Sequence, residues 1–192
     1  MPNEHLNTIL SATLSKKRVA DLVLMEKSRL LDIHELYAYS FHPRQTIAFR
    51  ASWILETIAL DDPAQFLPVA GKFLSDFPKQ KNLSCQRHFT KILMCFQEKT
   101  APPLLQEALA RADREALVST TFDWLMDPDT PLAVLANCMD ILYDFSEEFD
   151  WVEEALSYQL TQLMDRGSPA LNSRGKRVFQ KINRKSSRRT SK

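Results

Sequence analysis

Arg50 and Trp53 lie one helical turn apart in FRASWILE, residues 49–56, within an otherwise apolar run. Tryptophan and arginine are both enriched among the residues that dominate the binding energy of protein interfaces. The same pair also suits a scaffold, in which Trp53 fills a gap between helices and Arg50 pairs with Glu56 or Asp62. The stretch therefore predicts either a recognition surface or a structural contact, and neither requires catalysis.

Residue types that commonly bind metals or catalyse reactions are scattered along the chain. The four histidines show no pair at metal-ligand spacing, and His34-Glu35 is not followed by a second histidine in an H-E-x-x-H pattern. The chain also lacks the glycine-rich patterns of dinucleotide-binding and phosphate-binding loops. We therefore expect no catalytic residue, no metal and no cofactor.

The cysteines and the start of the chain predict a compartment. Cys85, Cys95 and Cys138 are odd in number, well separated and without C-x-x-C spacing, and each falls in an apolar helical pattern. The first residues, MPNEHLNTILSATLSKKR, lack the basic-then-apolar pattern of a signal peptide. No apolar run approaches the length of a membrane span. We predict a cytoplasmic protein with no membrane partner.

Apolar spacing is helical almost throughout the chain. One stripe recurs at i, i+4, i+7 and i+11 from Ile47 to Ile58, and a second stripe runs from Ala48 to Ala59. A helix that is apolar on two sides packs between neighbours. Asp62, Pro63 and Gln65 then predict the start of the next helix, with a capping-box spacing. Only 3 glycines are present, which disfavours the tight hairpins of β-folds.

A faint repeat links these helices. The pairs Ile54-Leu55, Ile92-Leu93, Ile141-Leu142 and Val178-Phe179 are separated by 38, 49 and 37 residues. HEAT and armadillo helix pairs repeat at about 40–47 residues. The pattern predicts an all-α, HEAT/armadillo-like α-α superhelix of about four helix pairs, with a compact helical bundle as the alternative. We expect one domain over residues 1–184 and a basic, flexible tail over residues 185–192.

Aligning the repeat places polar residues on one face of each helix. The positions four before, one before and three after each aligned isoleucine are i, i+3 and i+7, which share a face. We expect this face to form a solvent-accessible binding strip on the concave side. Its candidate residues are Arg50, Trp53, His88, Lys91, Asn137, Asp140, Asp144, Arg174, Arg177 and Lys181.

Charge is unevenly distributed, although the net charge is only +1. Residues 116–165 hold eleven acidic residues and no Lys or Arg, whereas residues 174–192 hold nine basic residues and no acidic one. Two interpretations remain open. The basic end is either a solvated tail, or a segment that binds phosphate or folds back on the acidic part.

Four segments carry a resemblance to a known family: FRASWILETIALDDPAQFLP, TFDWLMDPDTPLAVLANCMDIL, FDWVEEAL and the basic SRGKRVFQKI. In this order, over roughly residues 15–184, they resemble a family of small bacterial HEAT-like proteins. The resemblance implies an α-α superhelix. Some members have been labelled adenylosuccinate lyase. The nearest text to that enzyme's mobile loop, GSPALNSRGK from Gly167, lacks its Met-Pro and Lys-x-Asn, so the resemblance identifies no catalytic residue.

These observations favour a non-enzymatic scaffold or adaptor that binds a protein or peptide on its concave face. The first alternative is nucleic-acid binding through the basic residues of the last helix and the tail. The second alternative is an enzyme whose site is not recognisable from sequence. The identity of the partner and the oligomeric state are left open.

Overall fold

The structure is a computed structural model that describes residues 4–27, 31–166 and 169–190. Within these ranges it contains eleven α-helices, one short 3-10 helix (Phe77–Lys79) and no strand, which confirms the predicted all-α class. The helices are α1 (Glu4–Ser11), α2 (Lys16–Lys27), α3 (Ile33–Tyr39), α4 (Gln45–Asp61), α5 (Pro63–Asp76), α6 (Leu83–Gln97), α7 (Pro103–Arg111), α8 (Arg114–Met126), α9 (Leu132–Phe145), α10 (Asp150–Arg166) and α11 (Pro169–Thr190).

The chain divides into two compact units, Met1–Leu117 and Val118–Lys192. Helix α11 continues through Thr190, so the backbone of residues 185–190 is helical, beyond the end of the domain expected from sequence. Residues 191 and 192 lie outside the described residues. The single domain over 1–184 and the flexibility of the basic tail remain predictions.

Helix α4 is the central helix of the first unit. It packs against α1, α2, α3, α5 and α6. Both predicted apolar stripes are buried along its length, from Ile47 to Ile58 and from Ala48 to Ala59. The two-sided pattern therefore correctly predicted a helix that is enclosed by its neighbours.

Phenylalanine rings fill the space between α5 and α6. Phe73 is at the centre of this cluster, with its ring centroid 5.1–6.0 Å from those of Phe66, Phe77, Phe89 and Phe96. All five side chains are buried. Burying one such ring stabilises the fold by about 1.5–3 kcal/mol, so this cluster is a major part of the core of the first unit.

The start of α5 follows the sequence prediction with one difference in detail. Asp62 is the N-cap and Pro63 opens the helix. The Asp62 carboxylate accepts a hydrogen bond from the Gln65 side-chain amide at 2.6 Å, and it makes no capping bond to the helix backbone. The capping-box residues thus contact each other while the helix starts where predicted.

In the second unit, α9, α10 and α11 pack against one another. Helix α10 buries Val152, Leu156 and Leu160, which recur every fourth residue. Gly175 of α11 allows a close approach, because a Cβ there would lie 3.1 Å from Cγ of Met164. The absence of a side chain at this position lets α11 pack closely on α10.

Candidate functional site

Arg50, the first residue of the predicted strip, is a structural contact. Its Nη1 donates hydrogen bonds to the main-chain oxygens of Leu10 and Ser11, each at 2.8 Å. These carbonyls belong to the last turn of α1, whose unpaired oxygens and negative dipole end favour a cation. Arg50 therefore caps α1, and the expected carboxylate partner is replaced by backbone carbonyls.

Trp53 lies one turn further along α4 and is partly exposed, as the binding hypothesis requires. Its ring centroid is 6.3 Å from that of Phe49. Lys91 of α6 is likewise partly exposed. These two members of the strip in the first unit reach solvent.

His88 is buried, so its predicted exposure is wrong. Its Nδ1 forms a hydrogen bond with a carboxylate oxygen of Glu56, and its ring centroid lies 4.9 Å from that of Phe49. The pair joins α6 to α4. His88 is on the helix face predicted by the repeat alignment, but the neighbouring helix covers that face.

Asp140 is also buried, contrary to prediction, and its partner is another member of the strip. An Nη of Arg174 on α11 donates to an Asp140 carboxylate oxygen on α9. Asn137, one turn before Asp140, is buried as well. In this unit the polar strip connects two helices of the core.

The remaining members of the strip face solvent. Asp144, Arg177 and Lys181 are exposed. The Lys181 ammonium nitrogen lies 4.9 Å from the centroid of the Tyr143 ring, within the range of a cation–π contact. The predicted strip thus separates into residues that hold helices together and residues that reach solvent.

Sequence analysis missed a different surface, between α8 and α10. We call it the α8–α10 groove; it has a volume of about 330 Å³. Its lining residues come from one stripe on each helix, at spacings of three, four and seven residues. They are Ser119, Phe122, Asp123 and Met126 on α8, and Trp151, Ala155, Tyr158 and Gln159 on α10.

Large apolar side chains are exposed at this groove. Met126, Trp151 and Tyr158 expose 52%, 52% and 64% of their surfaces. Helix α10 therefore carries apolar residues on two adjacent faces, and the described residues bury only the face that includes Leu156. A clustered apolar surface of this kind is typical of an interaction site.

Two contacts hold the walls of the groove together. The Trp151 ring stacks on Phe122, with centroids 5.7 Å apart and planes inclined by 28°. The Gln159 side-chain amide donates to the Met126 sulfur at 3.4 Å. Both contacts link α8 to α10, so the groove is shaped before any partner binds.

Carboxylates border the groove. Asp123 is one of its lining residues and is exposed. Glu154 is exposed on α10, between Trp151 and Tyr158 in sequence and adjacent to them on the helix surface. Among the described residues that line the groove, none is basic. The site combines apolar anchors with negative charge.

A second cavity, in the first unit, has a volume of about 600 Å³. It is larger, but most of its lining side chains are small, including Gly71, Ser75, Ala108 and Ala112. It presents no exposed aromatic ring to a partner. Volume alone therefore does not identify the binding surface, and we place the candidate site at the α8–α10 groove.

The described residues do not assemble a metal site: no group of three or more His, Cys, Asp or Glu side chains among them is arranged to hold an ion. All three cysteines are buried. Burial raises the pKa of the Cys85 and Cys95 thiols to about 11, which keeps them protonated at neutral pH. In the described part of the chain, no helix is both long and apolar enough to cross a membrane.

The helices, packed against one another within each unit, define an all-α protein. Residues 6–182 match the family described as HEAT repeat domain, and the chain belongs to that family. The HEAT-like repeat fold predicted from sequence is thereby confirmed. No curated protein matches the chain significantly. No solved structure does so either.

Proposed function

We propose that this protein is a non-enzymatic helical-repeat adaptor that binds a segment of another protein in the α8–α10 groove. Repeat proteins of this class commonly act as interaction scaffolds. The observation that carries the proposal is the exposure of Trp151 and Tyr158 on one face of α10, each to more than half of its surface. Trp and Tyr are among the residue types that are enriched in interface hot spots.

The proposal moves the binding surface away from the strip predicted by sequence. Arg50, His88, Asp140 and Arg174 each contact another helix of their own unit, so they serve the scaffold. We keep the strip members that reach solvent as additional contact candidates. They are Trp53, Lys91, Asp144, Arg177 and Lys181.

Peptide display on the purified full chain tests the proposal. Peptides selected from an unbiased library are measured against Trp151→Ala and Tyr158→Ala, with Leu132→Ala as the matched control. Leu132 belongs to the same unit and is 53% exposed, but it does not line the groove. We expect the groove variants to weaken binding by about tenfold or more, on the order of one lost hot spot, and the control to retain it.

The opposite pattern contradicts the proposal. If selected peptides bind all three variants as well as they bind the unaltered chain, the groove is not the binding surface. Failure to select any peptide that binds the folded chain contradicts the adaptor function itself.

A second candidate function is nucleic-acid binding by the outer face of α11. Arg177, Lys181 and Arg184 lie at i, i+4 and i+7, and all three are exposed. Each neutralised phosphate on duplex DNA contributes about −0.9 to the slope of log affinity against log salt. We therefore expect a slope of roughly −2 to −3 if this face binds DNA.

Fluorescence anisotropy with a labelled random-sequence duplex measures that slope. The double substitution Lys181→Gln and Arg184→Gln reduces it if α11 is the contact surface. Binding that is undetectable at about 50 mM salt eliminates this second function and leaves the adaptor proposal unaffected.

A further inference from the structure

The charge at the α8–α10 groove selects between classes of peptide partner. Asp123 lines the groove, and Glu154 stands three residues after Trp151 and four before Tyr158 on α10. Both carboxylates are exposed beside large apolar side chains. A partner that places acidic groups here meets like charges, whereas a basic one is attracted.

The surrounding sequence strengthens this field. Residues 116–165, which include both walls of the groove, hold eleven acidic residues and no Lys or Arg. One of these acids, Asp140, forms an ion pair with Arg174, which lies outside the segment. A surface lined by one sign of charge raises the local concentration of oppositely charged ligands and speeds their association.

The exposed rings favour the same partner. Tyr158 exposes 64% of its surface and Trp151 exposes 52%. A Lys or Arg side chain within about 6 Å of such a ring gains a cation–π attraction. Carboxylates and aromatic faces thus both recognise cationic side chains placed next to an apolar anchor.

The shape of the groove fits a helix. Trp151 and Tyr158 are seven residues apart, which corresponds to about 10 Å along α10, or two turns of a partner helix. Phe122 and Met126 form the opposite wall. The described residues include no strand to which an extended peptide could add. An amphipathic helix satisfies its own backbone and presents anchors at i, i+3 or i+4, and i+7.

The basic helix α11 of a second copy does not supply these anchors. Its apolar residues Leu171, Val178 and Ile182 are buried within their own unit, and the one further large apolar residue, Phe179, is half-buried. Its exposed stripe of Arg177, Lys181 and Arg184 carries charge without a large apolar side chain. Helix α11 therefore does not offer a series of exposed large anchors, and we take the occupant to be a segment of another protein.

From these observations we infer that the α8–α10 groove binds an amphipathic helix that carries large apolar anchors with Lys or Arg beside them. This inference rests on the proposed adaptor function and specifies its partner class. The anchors insert between Met126 and Trp151, and the basic side chains lie over Asp123 and Glu154.

Three matched synthetic helices test the inference. They share one apolar face of Trp and Leu at helical spacing and differ only in their remaining positions, which are Lys, Gln or Glu. Each is labelled with fluorescein, and its Kd for the full chain is measured by anisotropy. We expect the Lys helix to bind about tenfold or more tightly than the Glu helix, with the Gln helix between them.

Substitutions in the protein separate the contribution of charge to the affinity from that of apolar contact. The double variant Asp123→Asn and Glu154→Gln is expected to weaken binding of the Lys helix about three- to tenfold. It should leave the affinity for the Gln helix unchanged. Asp61→Asn, an exposed acid in the other unit, is the matched control and leaves both unchanged. Trp151→Ala is expected to weaken the binding of all three synthetic helices.

Each contrary result identifies what has failed. Equal affinity for the three helices, lost on Trp151→Ala, overturns the basic partner and leaves the adaptor proposal intact. If display-selected peptides need Trp151 but no synthetic helix binds, the helical partner is wrong. If no peptide's binding depends on Trp151, the groove is not the binding site and this inference is wrong as well. Sedimentation showing dimers that Trp151→Ala dissolves assigns the groove to a second copy.

Discussion

Trp151 of α10 stacks on Phe122 of α8, yet half of its surface faces solvent while Phe122 is buried beneath it. The contact fixes the tryptophan at the rim of the α8–α10 groove without enclosing it. A large ring that is held in place loses little conformational entropy when it binds a partner. This relationship leads us to treat Trp151 as the principal anchor of the site.

Trp151→Ala is expected to cost little stability. The variant loses one stacked aromatic contact, worth about 0.5–1.5 kcal/mol beyond the area that it buries. Trp124→Ala is the matched control, because Trp124 is buried in the same unit, and we expect it to cost about 3–5 kcal/mol. Urea unfolding measures both values. Equal losses would show that Trp151 belongs to the core.

Arg50→Ala is expected to destabilise α1 specifically. The substitution removes two hydrogen bonds to the carbonyls of Leu10 and Ser11 and a cation at the helix end, together worth about 1–2 kcal/mol. Hydrogen exchange should become faster for the amides of α1, whereas Arg87→Ala, an exposed change on α6, should leave them unaffected. Unchanged exchange in Arg50→Ala would argue that the cap does not hold α1 in place.

His88 and Glu56 are expected to be energetically coupled across α6 and α4. Removing Glu56 leaves the buried His88 without this partner, and removing His88 leaves the half-buried Glu56 carboxylate less well satisfied. A double-mutant cycle of Glu56→Ala and His88→Ala should give a coupling energy of about 0.5–3 kcal/mol. Additive losses of stability would mean that the two side chains do not act as a pair.

The buried cysteines predict a loss of stability at high pH. Burial raises the pKa of Cys85 and Cys95 from 9.0 to about 11, and it raises the pKa of Cys138 as well. As the pH rises, the thiols of the unfolded chain therefore release their protons before those of the folded chain do. The contribution of Cys85 and Cys95 to the free energy of unfolding is fully present below about pH 9 and is lost as the pH rises towards 11.

Thiol-reactive dye offers a direct check of the same burial. We expect the folded chain to react slowly at pH 8 and the urea-unfolded chain to react at all three positions, because only the exposed thiolate is a nucleophile. Rapid labelling of the folded chain would show that at least one cysteine is accessible.

Local patterns predicted the helices well because their causes are local. The stripes around Ile54 and the start of α5 at Asp62 and Pro63 depend on residues within a few positions of each other. Both are present in the structure. The HEAT-like repeat could also be predicted, because the spacing between its helix pairs can be measured along the sequence.

The predicted exposure of two strip residues was wrong, because their burial depends on partners that are distant in sequence. His88 and Asp140 are polar, and sequence reasoning placed them in solvent. Each is buried against a polar partner more than thirty positions away in sequence: Glu56 hydrogen-bonds to His88, and Arg174 pairs with Asp140. Only the packing of the helices reveals such matches.

One pattern in the sequence does indicate the apolar lining of the groove on α10. Trp151, Ala155 and Tyr158 form a stripe beside the buried stripe that contains Leu156. Two adjacent apolar stripes indicate that a helix needs two neighbours. Which stripe stays uncovered is decided by the placement of α8 and α9, and the sequence does not specify it.

The most direct test of the central claim is to locate a bound peptide on the isotope-labelled full chain by NMR. With the Lys helix described above, the account predicts amide shifts concentrated in residues 119–126 and 151–159, and their loss in Trp151→Ala. Shifts concentrated instead on the exposed face of α11, or unaltered by Trp151→Ala, would contradict the assignment of the α8–α10 groove as the binding site.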